Sequence, residues 1–369
     1  MFGLSWDDVE DVIPMHGTLQ RLLENRRPQS NNHRHTWLCR GKTTKQLEEA
    51  LKEALTHHSI LRAMVIEFQN TPMHLTIRPS QKFFAQSFTH MPPVKNTEEL
   101  WKQCYNNKEI DWAADPGPLF KATITHVEEG NCAGLVYMIQ HSNFDAILFE
   151  MFLEDLDILL VHAKASPTPR APYKAWADSY YNLRHSEAAQ RSLKWHARRL
   201  QGVAKHRNAL FPEQRAPEWF KGQSKGWVTS LKGPLGSPRK ALDEGARDGA
   251  IGIAQRVLLH DTQALKVKHG IEVPQIVKAG LAIMNTRRTK TSVALFGQYQ
   301  ASRTWAFLPD WQAKALPDTM NVDGPTVQTT VVIVDVKSAD TLGALLTKLQ
   351  EEQEGLNTYT LPMISLSSD

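Results

Sequence analysis

The chain has 369 residues, of which 41% are apolar and 22% charged, and its 43 basic and 39 acidic side chains leave a formal charge of +4. That balance excludes disordered and fibrous classes, and the excess charge is spread too thinly for a nucleic-acid-binding protein, Arg287, Arg288 and Lys290 forming only a short basic patch. The length suits two lobes. Cys39, Cys104 and Cys132 are odd in number and far apart, which fits neither a disulfide framework nor a zinc site and suggests a reducing compartment. The first residues, Met-Phe-Gly-Leu-Ser-Trp-Asp-Asp, lack the basic and then apolar run of a signal peptide, so a cytoplasmic location is expected.

Thr43 and Gln46 have capping-box spacing, and Leu47, Ala50, Leu51, Ala54 and Leu55 then recur at helical intervals, which predicts an amphipathic helix ending near His57. Ile60 to Phe68 is nearly all apolar and reads as a buried strand, with Arg62 and Glu67 as exceptions and Pro72 and Pro79 punctuating the next segment. Strand parity puts Arg62 on the face of Ile60, Met64, Ile66 and Phe68. A guanidinium buried there requires a carboxylate; the alternative is that Arg62 sits at the wet end of the strand.

After the turn Asp115-Pro116-Gly117-Pro118, strands are expected at Leu119 to Thr125 and Ala133 to Ile139, then a helix from near Asp145. Its span, Ala146 to Ala163, is broken by Glu150, Glu154, Asp155 and Asp157, so it is not a membrane segment. The Pro-rich stretch Pro167 to Pro172 marks a lobe boundary, giving an N-terminal lobe 1–172 and a C-terminal lobe 173–369. Helix-like sequence runs from Tyr173 to Leu200, and Gly202 to Gly252 reads as loops with one or two short strands. Helices at Asp261 to His269 and Pro274 to Arg287, strands at Ser292 to Gln300 and Thr326 to Val336, and a helix from Ala339 to Gln353 complete an α+β pattern.

His141 and Asp145 form a His-x-x-x-Asp motif in Gln140-His141-Ser142-Asn143-Phe144-Asp145, between a buried strand and a helix with the apolar face Leu148, Met151, Phe152, Leu156 and Leu159. Such a junction aims polar groups into a cleft, and a neutral imidazole there can take the proton of an attacking amine or hydroxyl. Asp145, at a helix start, is badly placed as a second base; it reads as an N-cap or as the partner of a buried cation, which predicts an Asp145–Arg62 ion pair. Ser142 beside His141 makes no triad, and His33, His35, His57 and His58 lack the carboxylate or cysteine spacing of a metal site, so no metal is expected.

Further segments are in the order and spacing of a known family. Asp11-Val12-Ile13-Pro14-Met15 with Leu19-Gln20, His58-Ser59-Ile60-Leu61-Arg62, Asp111 with Pro116-Gly117-Pro118-Leu119, Gln140 to Ala146, Phe296-Gly297-Gln298 with Ser302-Arg303, and Gly324 to Thr329 together resemble the condensation domains of fungal nonribosomal peptide synthetases, in the His-x-x-x-Asp acyltransferase superfamily. The resemblance implies a two-lobed, chloramphenicol-acetyltransferase-like α+β fold with the active site between the lobes. It also implies no bound cofactor, and substrates carried as thioesters on the phosphopantetheine of a carrier protein.

On that basis His141 is the expected catalytic residue, Asp145 and Arg62 support the motif, and Ser302, Arg303 and Gln328 line the cleft. The chain departs from the family at Gln140 and Ala146, which flank the motif, and at Ser302, Gln328, Val331 and Ile333, and it is short at the C-terminus. The implied function is an acyltransferase or cyclase of secondary metabolism that forms an amide or ester bond from a thioester. The alternatives are a free-standing enzyme acting on a small diffusible intermediate and a catalytically silent binding module. No nucleic-acid or membrane partner is expected.

Overall fold

The computed structural model describes residues 4–24, 31–69, 71–106, 110–113, 116–162, 166–183, 186–209, 262–303, 314, 316, 318–337, 339 and 341–359. Asp115 of the expected turn, the side chain of Cys104, and the part of the expected loop region beyond residue 209 lie outside them. In chain order the elements are β1 (Val9–Pro14), α1 (Gly17–Glu24), β2 (Asn32–Cys39), α2 (Thr44–His57), β3 (Ala63–Phe68), β4 (Thr71–Ile77), α3 (Gln81–Ser87), β5 (Phe88–His90), α4 (Thr97–Asn106), β6 (Phe120–Val127), β7 (Cys132–Gln140), α5 (Ala146–Val161), β8 (Ala171–Pro172), α6 (Tyr173–Leu183) and α7 (Glu187–Arg199). Then come α8 (Thr262–His269), α9 (Val273–Thr289), β9 (Val293–Ala301), β10 (Val322–Asp323), β11 (Val327–Asp335) and α10 (Leu342–Thr358).

The chain forms two compact units, one from Met1–Gln190 with Ala301–Gln328, the other from Arg191–Gln300 with Thr329–Thr360. The Pro-rich stretch 167–172 therefore does not end the first unit. Tyr173, Trp176, Ala177, Tyr180 and Leu183 of α6 bury their side chains in the same core as α2 and β7, and that apolar area holds α6 there.

In the first unit a sheet of order β2-β7-β6-β5 is antiparallel except for the β5–β6 pair. Every residue of β7 is buried, as the apolar run predicts for a strand covered on both faces. Leu47, Leu51, Ala54 and Leu55 of α2 and Leu148, Phe152, Leu156 and Leu159 of α5 share one core with it. The capping box at α2 is formed, Thr43 Oγ1 accepting from the Gln46 amide at 3.2 Å and the Gln46 side chain from the Thr43 amide at 2.9 Å. A second sheet, β1-β4-β3, is antiparallel throughout.

The strand expected from Ile60 starts later than its apolar run. Ser59–Arg62 is a turn of 3-10 helix, and the strand begins only at Ala63, so strand parity never applied to Arg62. The second unit packs Ala279 and Ala282 of α9, Ala294 of β9, Val332 and Val334 of β11, and Leu345 and Leu349 of α10 into a smaller core. Among the described residues no helix is long and apolar enough to cross a membrane.

Gly324, just after β10, lies so close to α6 that a Cβ would stand 2.1 Å from Tyr173 Cδ2 and 2.5 Å from its Cβ. Tyr173 Cβ, fixed to the backbone, cannot swing away. Gly324→Ala is expected to cost about 1–3 kcal/mol or more, read as a fall in the denaturation midpoint, because overpacking must displace α6 or the 322–326 segment.

Candidate active site

β7 delivers the chain to Gln140, a 3-10 turn over His141–Asn143 comes next, and Asp145 then N-caps α5 by accepting from the Leu148 amide at 2.9 Å. The turn is pinned by both neighbouring segments: the Gln140 amide donates to Leu119 O at 3.0 Å and the His141 amide to Asn31 O at 2.8 Å. Gln140, which stands where the resembled family has a histidine, is fully buried, and its side-chain oxygen accepts from the Ser142 amide. It acts on the shape of the turn. Ala146 is the first residue of α5.

His141 is half-buried. Its Nδ1 lies 3.1 Å from Phe144 O. A carbonyl can only accept, so Nδ1 carries a proton, and in the neutral ring this leaves the lone pair on Nε2, the tautomer a general base needs. The ring stacks on Phe144 with centroids 4.9 Å apart and meets His33 of β2 edge to face at 4.7 Å. Two aromatic faces and one hydrogen bond thus fix the imidazole.

The carboxylate of Asp145, 4% exposed, is saturated. Besides the Leu148 amide, Oδ1 accepts from Arg303 Nη2 at 3.2 Å, and Oδ2 accepts from the Thr326 amide at 2.8 Å and the Thr326 hydroxyl at 3.2 Å. Arg303, 1% exposed, is held in turn by Val322 O at 2.6 Å, Gly324 O at 2.8 Å and Met320 O at 3.3 Å. With its lone pairs committed, Asp145 is tied into the turn and the segments around it.

The expected Asp145–Arg62 pair is not formed. Arg62 pairs with Glu10 and donates to Ile77 O at 2.7 Å, to Thr56 O at 2.8 Å and to Leu55 O. The reason is its place in the turn after α2, where the free carbonyls of the last helical turn attract a cation. Arg62→Ala leaves those carbonyls unsatisfied and is expected to destabilise the chain by about 3 kcal/mol in urea unfolding. Turnover per folded molecule should stay at the wild-type level.

Ser302, fully buried, joins the same neighbourhood through its backbone: its amide donates to Thr326 O at 3.1 Å and its carbonyl accepts from Trp176 Nε1 at 3.2 Å. Gln328 is buried at the start of β11, and its Nε2 lacks a hydrogen-bond partner among the described residues. Sequence reasoning named Arg303 without giving it to Asp145, and it overlooked Thr326 as a ligand of that carboxylate. The signal was present in the Ser302-Arg303 and Gly324-to-Thr329 segments.

The condensation domain family model matches residues 23–363. The nonribosomal peptide synthetase agiA of Aspergillus flavus is 26% identical over 207 aligned residues, covering 53% of this chain and 3% of that protein, so the chain spans a small fraction of this relative. Among solved structures, the epimerization domain from the third module of tyrocidine synthetase B is similar with a TM-score of 0.65 at 13% identity, covering 97% of this chain and 76% of that one. The EpoB cyclization-docking bidomain from Sorangium cellulosum gives 0.64 at 13%, covering 94% and 63%. The condensation domain behind chain release from the enacyloxin polyketide synthase gives 0.62 at 15%, covering 95% and 63%. These likenesses show the α+β, chloramphenicol-acetyltransferase-like fold, and the match of the family model over nearly the whole sequence means that this chain belongs to the condensation domain family.

Proposed function

We propose that this chain forms an amide or ester bond in secondary metabolism, by condensation or cyclisation, from a thioester-activated acyl or peptidyl donor. The observation that carries the reading is the His141 ring, half-exposed and held with Nδ1–H on Phe144 O, its Nε2 bonded to none of the described residues. An amine or hydroxyl attacks the thioester carbonyl, Nε2 takes the nucleophile's proton, and collapse of the tetrahedral adduct breaks the C–S bond. The proton then passes to the departing thiolate. Asp145, Arg303 and Thr326 take no part in these transfers and hold the turn.

The donor is assigned to the phosphopantetheine arm of a carrier protein, the arrangement the family membership supports. The test uses the purified chain with a synthetic aminoacyl thioester, presented on a loaded carrier protein or as a small soluble thioester, and an amine, with product read by mass spectrometry. Product from the carrier-bound donor supports the proposal. Equal rates from the soluble thioester would favour a free-standing enzyme acting on a diffusible intermediate, and no product from either donor would favour a silent binding module.

A further inference from the structure

His58, fully buried where α2 ends, has no part in that chemistry, yet both ring nitrogens face carboxylates: Nδ1 is 2.5 Å from Asp323 Oδ1 and Nε2 is 3.1 Å from Asp155 Oδ2. Nδ1 is hydrogen-bonded to Asp323, whereas Nε2 meets Asp155 as a close charge contact, and the two carboxylates together favour the doubly protonated ring. Burial opposes the charge, but the carboxylates of Asp323 and Asp155 outweigh it and push His58 up to about 9. Asp155 also receives Arg170, whose Nη2 and Nε lie 2.9 and 3.3 Å from its oxygens. The cluster is thus two cations and two anions.

Two other charged or titratable groups face it. The His57 ring centroid is 5.5 Å from that of His58, with Nε2 3.9 Å from Asp155 and bonded to Thr168 O at 2.9 Å. Arg62, in the same turn, is committed to Glu10.

What the cluster joins gives it meaning. Asp155 lies on α5, the helix that Asp145 caps, about 15 Å further along at the helical rise. Asp323 is one residue before Gly324, whose carbonyl holds Arg303, and three before Thr326, which holds Asp145. Arg170 adds a bond from Nη1 to Asn321 Oδ1 at 3.2 Å, and β10 pairs with β8 next to Arg170. The segment 321–326 is therefore fastened to α5 at two levels, at the helix N-terminus through Asp145 and lower down through His58, Asp155 and Arg170.

We propose that His58, with Asp155 and Asp323, is a positioning residue for the reaction at His141, holding segment 321–326 in register with α5 so that Asp145 keeps the catalytic turn in shape. This rests on the acyl-transfer reading of His141. Without the proton, the two carboxylates face each other across a neutral ring and the lower fastening opens. A group whose folded pKa is raised gives its full stabilisation below its ordinary value, about 6.5, and loses it as the pH rises through the folded value, here about 9.

The test compares the full chain with His58→Gln and Asp323→Asn in two readouts. The first needs no activity: hydrogen exchange at the Thr326 and Leu148 amides, both donors to Asp145, at about pH 7.5 with far-ultraviolet circular dichroism intact. Exchange at Thr326 is expected to be about tenfold faster in both variants. The second is turnover of the synthetic thioester and amine. kcat should fall about tenfold in His58→Gln with KM nearly unchanged, and the wild-type decline in kcat above about pH 9 should be absent from the variant. Where His58→Gln does not fold, Asp323→Asn carries both comparisons, and the wild-type Thr326 amide should lose protection, relative to its intrinsic rate, above about pH 9. Wild-type exchange and an unchanged alkaline limb in the folded variants would overturn the proposal. If the wild-type chain turns nothing over, the acyl-transfer reading fails, and the exchange data decide on the fastening by themselves.

Discussion

Replacing His141 by alanine is expected to lower kcat by about 10²–10⁴-fold, the range for a lost general base, with KM and the unfolding midpoint close to wild type. The side chain is half-buried at the start of a turn whose backbone bonds, from Gln140 to Leu119 and from His141 to Asn31, do not depend on the imidazole. Removing it costs only the contacts with Phe144 and His33. The chemical loss is larger, because nothing bonded to the turn replaces Nε2: Asp145 is saturated and Gln140 cannot accept a proton at neutral pH. His141→Asn should be as inactive as alanine. Unchanged turnover in a folded His141→Ala protein would remove the mechanism.

The second large effect is at Arg303. Arg303→Ala leaves Asp145 buried without its cation and is expected to destabilise the chain by about 3–5 kcal/mol, with turnover lost in parallel as the turn relaxes. Arg303→Lys should rescue little, since one ammonium cannot reach Val322 O, Gly324 O and the Asp145 carboxylate from the positions the two guanidinium nitrogens occupy. Asp145→Asn tests the same bond from the other side: it keeps an N-cap for α5 but strands Arg303. In a double-mutant cycle by urea denaturation, Arg303→Met with Asp145→Asn should be less damaging than the sum of the single changes. Strict additivity would show that the pair is not coupled.

The parts of this fold legible in the sequence are those with strong local signals. α2 declared itself by cap and periodicity, β7 by an unbroken apolar run, and β9 and β11 by β-branched and aromatic content, each within a residue or two of its observed ends. β2 gave no such signal, because it is the edge strand of its sheet and carries the exposed His33 and the half-buried Arg34, His35 and Thr36. β4 was hidden by Pro72, the second residue of the strand, which was read as punctuation.

The site was half legible. His141 and Asp145 are near neighbours in the chain and were found together, but the partner of Asp145 is 158 residues away and no local pattern can choose it. Strand parity chose Arg62, and failed because the residue lies one step before the strand, where helix-end carbonyls and Glu10 satisfy it. The His58 cluster was invisible for the same reason, since His58 and Asp323 are separated by 265 residues. Isolated from their partners, both read as ordinary polar residues.

The long reach of Asp145 also sets an order of events during synthesis. Its helix, the strand before it and most of the surrounding core are encoded before residue 190, but Arg303 and Thr326 emerge only after residues 191–300, which belong to the other unit, have been made. A chain made only that far has the Asp145 carboxylate without its cation, and contacts of such long sequence separation form late. Until the 301–328 segment returns to its unit, the protein has a core without a site. Competence of the proposed site therefore depends on residues 301–328 joining a core encoded far upstream of them.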